Sequence, residues 1–145
     1  NNRPIENLAT KLVNEFQKKE LELNEILLAQ DKIKASKYFS KNFELIFSEV
    51  QSHTSNLDNA FQDFRQNKNR LLSVNDLSAR ELNGSILVNF TLRELNNRQH
   101  NWFVVDVWTK HNNDCRLEKR YISSLKGNRF LPPGFVTQEV IKKKY

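Results

Sequence analysis

Residues 101–123 read NWFVVDVWTKHNNDCRLEKRYIS. Two runs rich in β-branched and aromatic residues flank Asn112-Asn113, a pair that tolerates the positive φ of a tight hairpin. A loop closed there pairs Lys110 with Cys115. Counting back sets Trp108 against Leu117, Asp106 against Lys119 and Val104 against Tyr121. Side chains alternate across a sheet, so Trp102, Val104, Asp106, Trp108, Leu117, Lys119 and Tyr121 are expected on one face. Phe103, Val105, Val107, Glu118, Arg120 and Ile122 are expected on the other. Apolar residues on both faces imply a sheet covered by helices on one side and by a partner on the other. Asp106, a carboxylate between Val105 and Val107, has two readings. It is a cross-strand ion pair with Lys119, worth about 0.2–1 kcal/mol, or an acid in a pocket walled by Trp102, Trp108 and Tyr121. In the pocket, burial would raise its pKa and make it a donor to a ligand oxygen. Spacing alone favours the ion pair.

Upstream of Arg70 the period is helical. Ile5, Leu8, Leu12, Val13 and Phe16 recur at three- and four-residue steps, and the pattern runs less cleanly through Leu23, Ile26 and Leu27 to about Gln30. Pro4 suits a first helical turn. Asp31 is a candidate N-cap for a second helix, whose end, FELIF (43–47), reads as a last turn or as a short strand. A third helix is predicted over Ser55–Asn67, with Ser55 as its cap and Leu57, Ala60, Phe61 and Phe64 on one stripe. After Arg70 the period becomes two: Leu72, Val74 and Leu82, then Ile86, Val88, Phe90 and Leu92, then the hairpin. Asn83-Gly84 and Asn96-Asn97 supply further turns. The pattern predicts an α+β fold, three N-terminal helices packed on a curved antiparallel sheet of four strands. One domain spans 1–145, with a core of about 5–124 and a C-terminal strap over 125–145 that carries Phe130, Phe135 and Val140.

Composition narrows the function classes. In 145 residues, hydrophobic residues make up 38%, enough for one core, and no apolar run reaches the ~20 residues of a membrane span. The net charge of +6 raises nucleic acid or an acidic surface as a partner. Its basic residues are scattered apart from the KKK at 142–144, and no nucleic-acid motif accompanies them, so nucleic acid is disfavoured. A single cysteine, Cys115, excludes an intrachain disulfide and a thiolate metal cluster. His53, His100 and His111 lack a ligand spacing, so neither a metal nor another cofactor is expected. The chain opens with Asn1 and holds no Met. Signal-peptide removal and trimming explain this equally, which leaves the compartment of a soluble chain open between cytoplasmic and exported.

The order of elements, the segment QDKIKASKYFSKNFELIF (30–47) and the words VVDVWTKHNNDCRLEKRYISS resemble the nuclear transport factor 2-like superfamily, especially its SnoaL-like members. The resemblance covers roughly residues 5 to 124. It implies a cone-shaped pocket between helices and sheet, and a homodimer through the sheet's outer face, here Phe103, Val105, Arg120 and Ile122. The pocket would be lined by Tyr38, Phe43, Phe47, Trp102, Asp106, Trp108, Lys119 and Tyr121. In the ketosteroid isomerases of this superfamily an Asp on the late strand hydrogen-bonds the substrate oxyanion, and Asp106 resembles it. Those enzymes also use a Tyr on the first helix, where this chain has Leu23 or Asn24, and a base near FELIF, where it has Phe47. Glu44 and Glu49 are the remaining acids there, and both read as solvent-facing. Proton abstraction needs a base within reach, so the residues favour a non-catalytic domain binding a small, partly apolar ligand. A protein-interaction module with a plugged pocket follows, and an isomerase- or cyclase-like enzyme using Asp106 comes last. A bulky interior built from Trp102, Trp108, Phe43 and Phe47 would favour the plugged module.

Overall fold

The computed structural model describes residues 8–49 and 53–136. The expected helices are α1 (Leu8–Ala29), α2 (Lys32–Tyr38) and α3 (Leu57–Gln66). Phe16, Glu20, Leu23 and Leu27 follow at four-, three- and four-residue steps along α1 and are all buried, so this stripe faces the core. Leu12 packs against the same core; Pro4, Ile5 and the side chain of Leu8 lie outside what is described. Asp31 caps α2, its carboxylate accepting from the Lys34 amide at 3.0 Å. The cap of α3 is Asn56, not Ser55: its side-chain oxygen accepts from the Asn59 amide at 2.8 Å. Ser55 instead ends the short strand β2 (Thr54–Ser55) and donates its hydroxyl to the Gly134 carbonyl at 2.7 Å.

FELIF is strand. It closes β1 (Phe39–Phe47), where Phe43, Leu45 and Phe47 are buried at every second position. The remaining strands are β3 (Leu72–Leu82), β4 (Ser85–Glu94), β5 (Asn97–His111) and β6 (Asp114–Ser124). They form one six-stranded sheet in the order β2-β1-β6-β5-β4-β3. The predicted four-strand meander is thus extended by two strands, and the sheet is mixed because β1 lies parallel to β6. β1 lies between the last strand, β6, and the short β2, with which it pairs antiparallel. Asn83 and Gly84 turn between β3 and β4 with φ of 38° and 82°, and Asn112 turns the last hairpin with φ 57°. The middle turn is Leu95-Asn96, one residue earlier than expected, since Asn97 already belongs to β5.

The last hairpin begins in the expected register, with Lys110 opposite Cys115 and Trp108 opposite Leu117. A β-bulge follows. Val107 faces Lys119, so two steps along β6 match one along β5, and Asp106 then faces Arg120 and Val104 faces Ile122. One extra residue reverses the parity of everything beyond it. Arg120 and Ile122, expected outside, are buried, while Tyr121, expected inside, is 43% exposed. Lys119 also points outward and pairs with Glu44 at 3.0 Å.

Residues 125–136 cross back over the core. Phe135 is buried and stacks on His53 with ring centres 5.0 Å apart. The Gly134 amide donates to Asp63 at 2.7 Å. Gly134 has φ +101°, and an added Cβ would sit 3.2 Å from Leu45, so this crossing needs glycine. Phe130 is exposed, and Val140 lies outside the described residues.

Candidate functional site

The bulge answers the question of Asp106 with a partner the spacing did not indicate. Arg120 Nε and Nη2 donate to the two carboxylate oxygens of Asp106, each at 2.7 Å. This is a bidentate, charge-assisted pair. The same Nη2 donates to Glu20 Oε1 at 2.9 Å, and Trp108 Nε1 donates to Glu20 Oε2 at 3.0 Å. Phe90 lies under the guanidinium, 5.6 Å from its carbon, and Phe16 meets Trp108 edge-on at 5.3 Å. The carboxyls of Glu20 and Asp106 have no exposure and Arg120 almost none. Strands β5 and β6 supply Asp106 and Arg120, and the middle of α1 supplies Glu20.

Two acids share one cation away from water, so the three cannot all be charged without a net buried charge. Burial, then the Asp106 charge, push the Glu20 carboxyl well above its ordinary value; Arg120 and the Trp108 N–H oppose this and are outweighed. Burial also opposes the Arg120 charge, but Asp106 and Glu20 more than compensate and hold its pKa above its ordinary value. Burial and the Asp106 charge thus favour the neutral form of Glu20 beside the Arg120–Asp106 ion pair. Glu20 was legible as an anomaly, an acid four residues after Phe16 and three before Leu23 on the apolar stripe. Arg120 was not, because no sequence signal marked the bulge.

The other nominated residues separate. Trp102, Trp108, Phe43 and Phe47 belong to the buried hydrophobic core, and Asp106 is buried too. Tyr38 sits at the rim, donating to Glu22 at 2.6 Å, with burial and that bond raising its pKa to about 12. Lys119 and Tyr121 are on the opposite face of the sheet. None of the five described clefts is lined by Glu20, Asp106, Trp108 or Arg120.

No protein-family model matches the sequence, and no curated protein matches it significantly. Solved structures do match. An NTF2-like protein from Cytophaga hutchinsonii is similar with a TM-score of 0.61 at 9% identity, over 77% of this chain and 97% of that one. The S. rosetta CaMKII hub is similar with a TM-score of 0.58 at 15% identity, over 83% and 98%. The CaMKII hub homology domain of Chlamydomonas reinhardtii gives 0.60 at 14% identity, over 78% and 98%. The fold is nuclear transport factor 2-like.

Within the nuclear transport factor 2-like fold, the groups that an isomerase would need can now be placed. Leu23 and Phe47 are buried apolar side chains, and Asn24 is buried with its side-chain amide nitrogen unpartnered among the described residues. Glu44 is held by Lys119 on the outer face, and Glu49 is exposed and accepts from the Ser124 amide at 3.2 Å. Neither faces Asp106. Acid–base chemistry requires a substrate within hydrogen-bond reach of the acid, and here Trp108 and Arg120 already occupy the positions around Glu20 and Asp106. No group of three or more His, Cys, Asp or Glu among the described residues is arranged to hold a metal ion.

Proposed function

We propose that this nuclear transport factor 2-like domain is a non-catalytic interaction module whose cone is plugged by its own side chains and which associates with itself through the outer face of its sheet. The observation that carries the reading is the sealed cluster of Glu20, Asp106, Arg120 and Trp108, which fills the space where a ligand would lie. Trp102 and Trp108 have no exposure at all, and Phe43 and Phe47 are buried with them. A small-ligand reading would require expelling an indole and breaking a buried ion pair, which costs several kcal/mol.

The outer face supports self-association. Tyr121 lies between Ile46 of β1 and Val105 of β5, and Val105 in turn neighbours Asn89 of β4. Val107 and Leu87 pair one row away. Phe103 and Tyr121, with Leu82 at the end of β3, are exposed large apolar residues of this face, so a partner there would cover apolar area now in water. Two of the similar structures are CaMKII hub domains, and this chain shares their fold.

Sedimentation over a wide concentration range tests the reading. A dimer or larger species is expected, converted to monomer by Phe103→Asp with Tyr121→Asp at unchanged circular dichroism. A 17.2 kDa monomer at every concentration would overturn it.

A further inference from the structure

The start of β5 and the turn after β6 enclose a cleft of ≈ 400 Å³ bordered by Arg98, Gln99, Lys126 and Phe130. Its frame is braced. Asn128 donates to the Asn101 carbonyl at 2.5 Å and accepts from the Phe130 amide at 3.0 Å, and Asn101 donates to the Arg98 carbonyl at 2.9 Å. The turn is fixed by the Asn128 amide on the Leu125 carbonyl at 2.9 Å, with Lys126 and Gly127 at φ 45° and 77°. By contrast, the side chains of Arg98, Lys126 and Gln99 make no ion pair or hydrogen bond with any described residue. No carboxylate of the described residues lines the cleft. The nearest acid along β4, Glu94, is engaged by Arg70 at 3.3 Å and His100 at 2.8 Å.

We propose that this cleft binds a small organic phosphate, with the phosphate on Arg98 and Lys126 and a flat apolar group against Phe130. Two cations with no opposing carboxylate among the described residues match the charge of a phosphate monoester, and a guanidinium can bind its oxygens in pairs. The free amide of Gln99 adds a donor. Phe130 is exposed and borders the cleft, and its ring packs against His100, with ring centres 3.8 Å apart and planes tilted by 47°. The volume lies in the range of small-molecule sites. The other cation-rich cleft, with Lys19, Lys37 and Arg116, also contains Glu15 and Asp114, which offset its charge.

Calorimetric titration with phenyl phosphate, inorganic phosphate and benzoate tests the assignment. Phenyl phosphate should bind more tightly than inorganic phosphate, and benzoate most weakly. Arg98→Ala with Lys126→Ala should weaken both phosphates about tenfold or more at unchanged circular dichroism. Phe130→Ala should weaken phenyl phosphate and leave inorganic phosphate unchanged. The proposal is overturned by three results: no binding of phenyl phosphate, benzoate binding as tightly as phenyl phosphate, or affinity unmoved by the double substitution.

Discussion

Arg120 is shared by two carboxyls with almost no solvent to screen any of the three, so the arithmetic of charge predicts unequal losses. Arg120→Met leaves two acids facing each other without their cation and should cost about 3–5 kcal/mol, read from urea denaturation. Asp106→Asn should cost less, because Glu20 can release its proton and pair with Arg120 in its place. Glu20→Gln should cost least, since an amide keeps one of the two acceptor oxygens and introduces no buried charge. The pH dependence follows from the raised Glu20 pKa. Above the ordinary value of 4.5 the unfolded chain releases this proton while the folded state retains it. The Glu20 contribution is thus full below that value and is lost as pH rises through the folded pKa. Wild-type stability should decline across this window with a slope of at most about 1.4 kcal/mol per pH unit from this group. Glu20→Gln should flatten the decline; an unchanged slope would contradict the protonated state.

At the scale of elements, local chemistry was legible and long-range pairing was not. Asp31 reads as a cap and is one; the Asn83-Gly84 and Asn112-Asn113 turns are where positive φ is needed. The parallel pairing of β1 with β6 joins residues some seventy-five apart, as Glu44 with Lys119, which no local pattern encodes. The bulge beyond Trp108 is equally silent, because Leu117, Glu118 and Lys119 carry no glycine or proline to mark it. As a consequence regular alternation places Lys119 and Tyr121 in the pocket and Arg120 on the outer face, the reverse of what the bulge produces. Ser55 and Asn56 show how adjacent polar residues divide their roles, and two substitutions separate them. Asn56→Ala removes a helix cap and should cost about 1 kcal/mol. Ser55→Ala strips the Gly134 carbonyl of its buried donor, costing about 1–3 kcal/mol. It should also speed proteolysis within 125–136, which Asn56→Ala should not.

For the whole molecule, the question is whether the interior is a core that happens to be polar or a pocket occupied by its own ligand. Trp108 distinguishes these. Its indole stacks edge-on with Phe16 and donates to Glu20, so it fills volume and satisfies a carboxyl oxygen at once. Trp108→Gly removes the plug while leaving Glu20, Asp106 and Arg120 around the space it vacates. A large-to-small change of this kind costs about 3–5 kcal/mol, and a cavity lined by polar groups admits water. Free indole carries the same ring and the same N–H donor. If the fold retains a pocket that Trp108 plugs, millimolar indole should raise the melting temperature of Trp108→Gly and leave the wild type unmoved, because binding only the folded state stabilises it by mass action. Combining Trp108→Gly with Glu20→Leu removes the acceptor for the indole N–H, and should abolish most of that rise. A Trp108→Gly protein that folds and shows no response to indole would mean that the walls collapse without the plug. The cone of this domain would then be only a hydrophobic core with a buried ion pair.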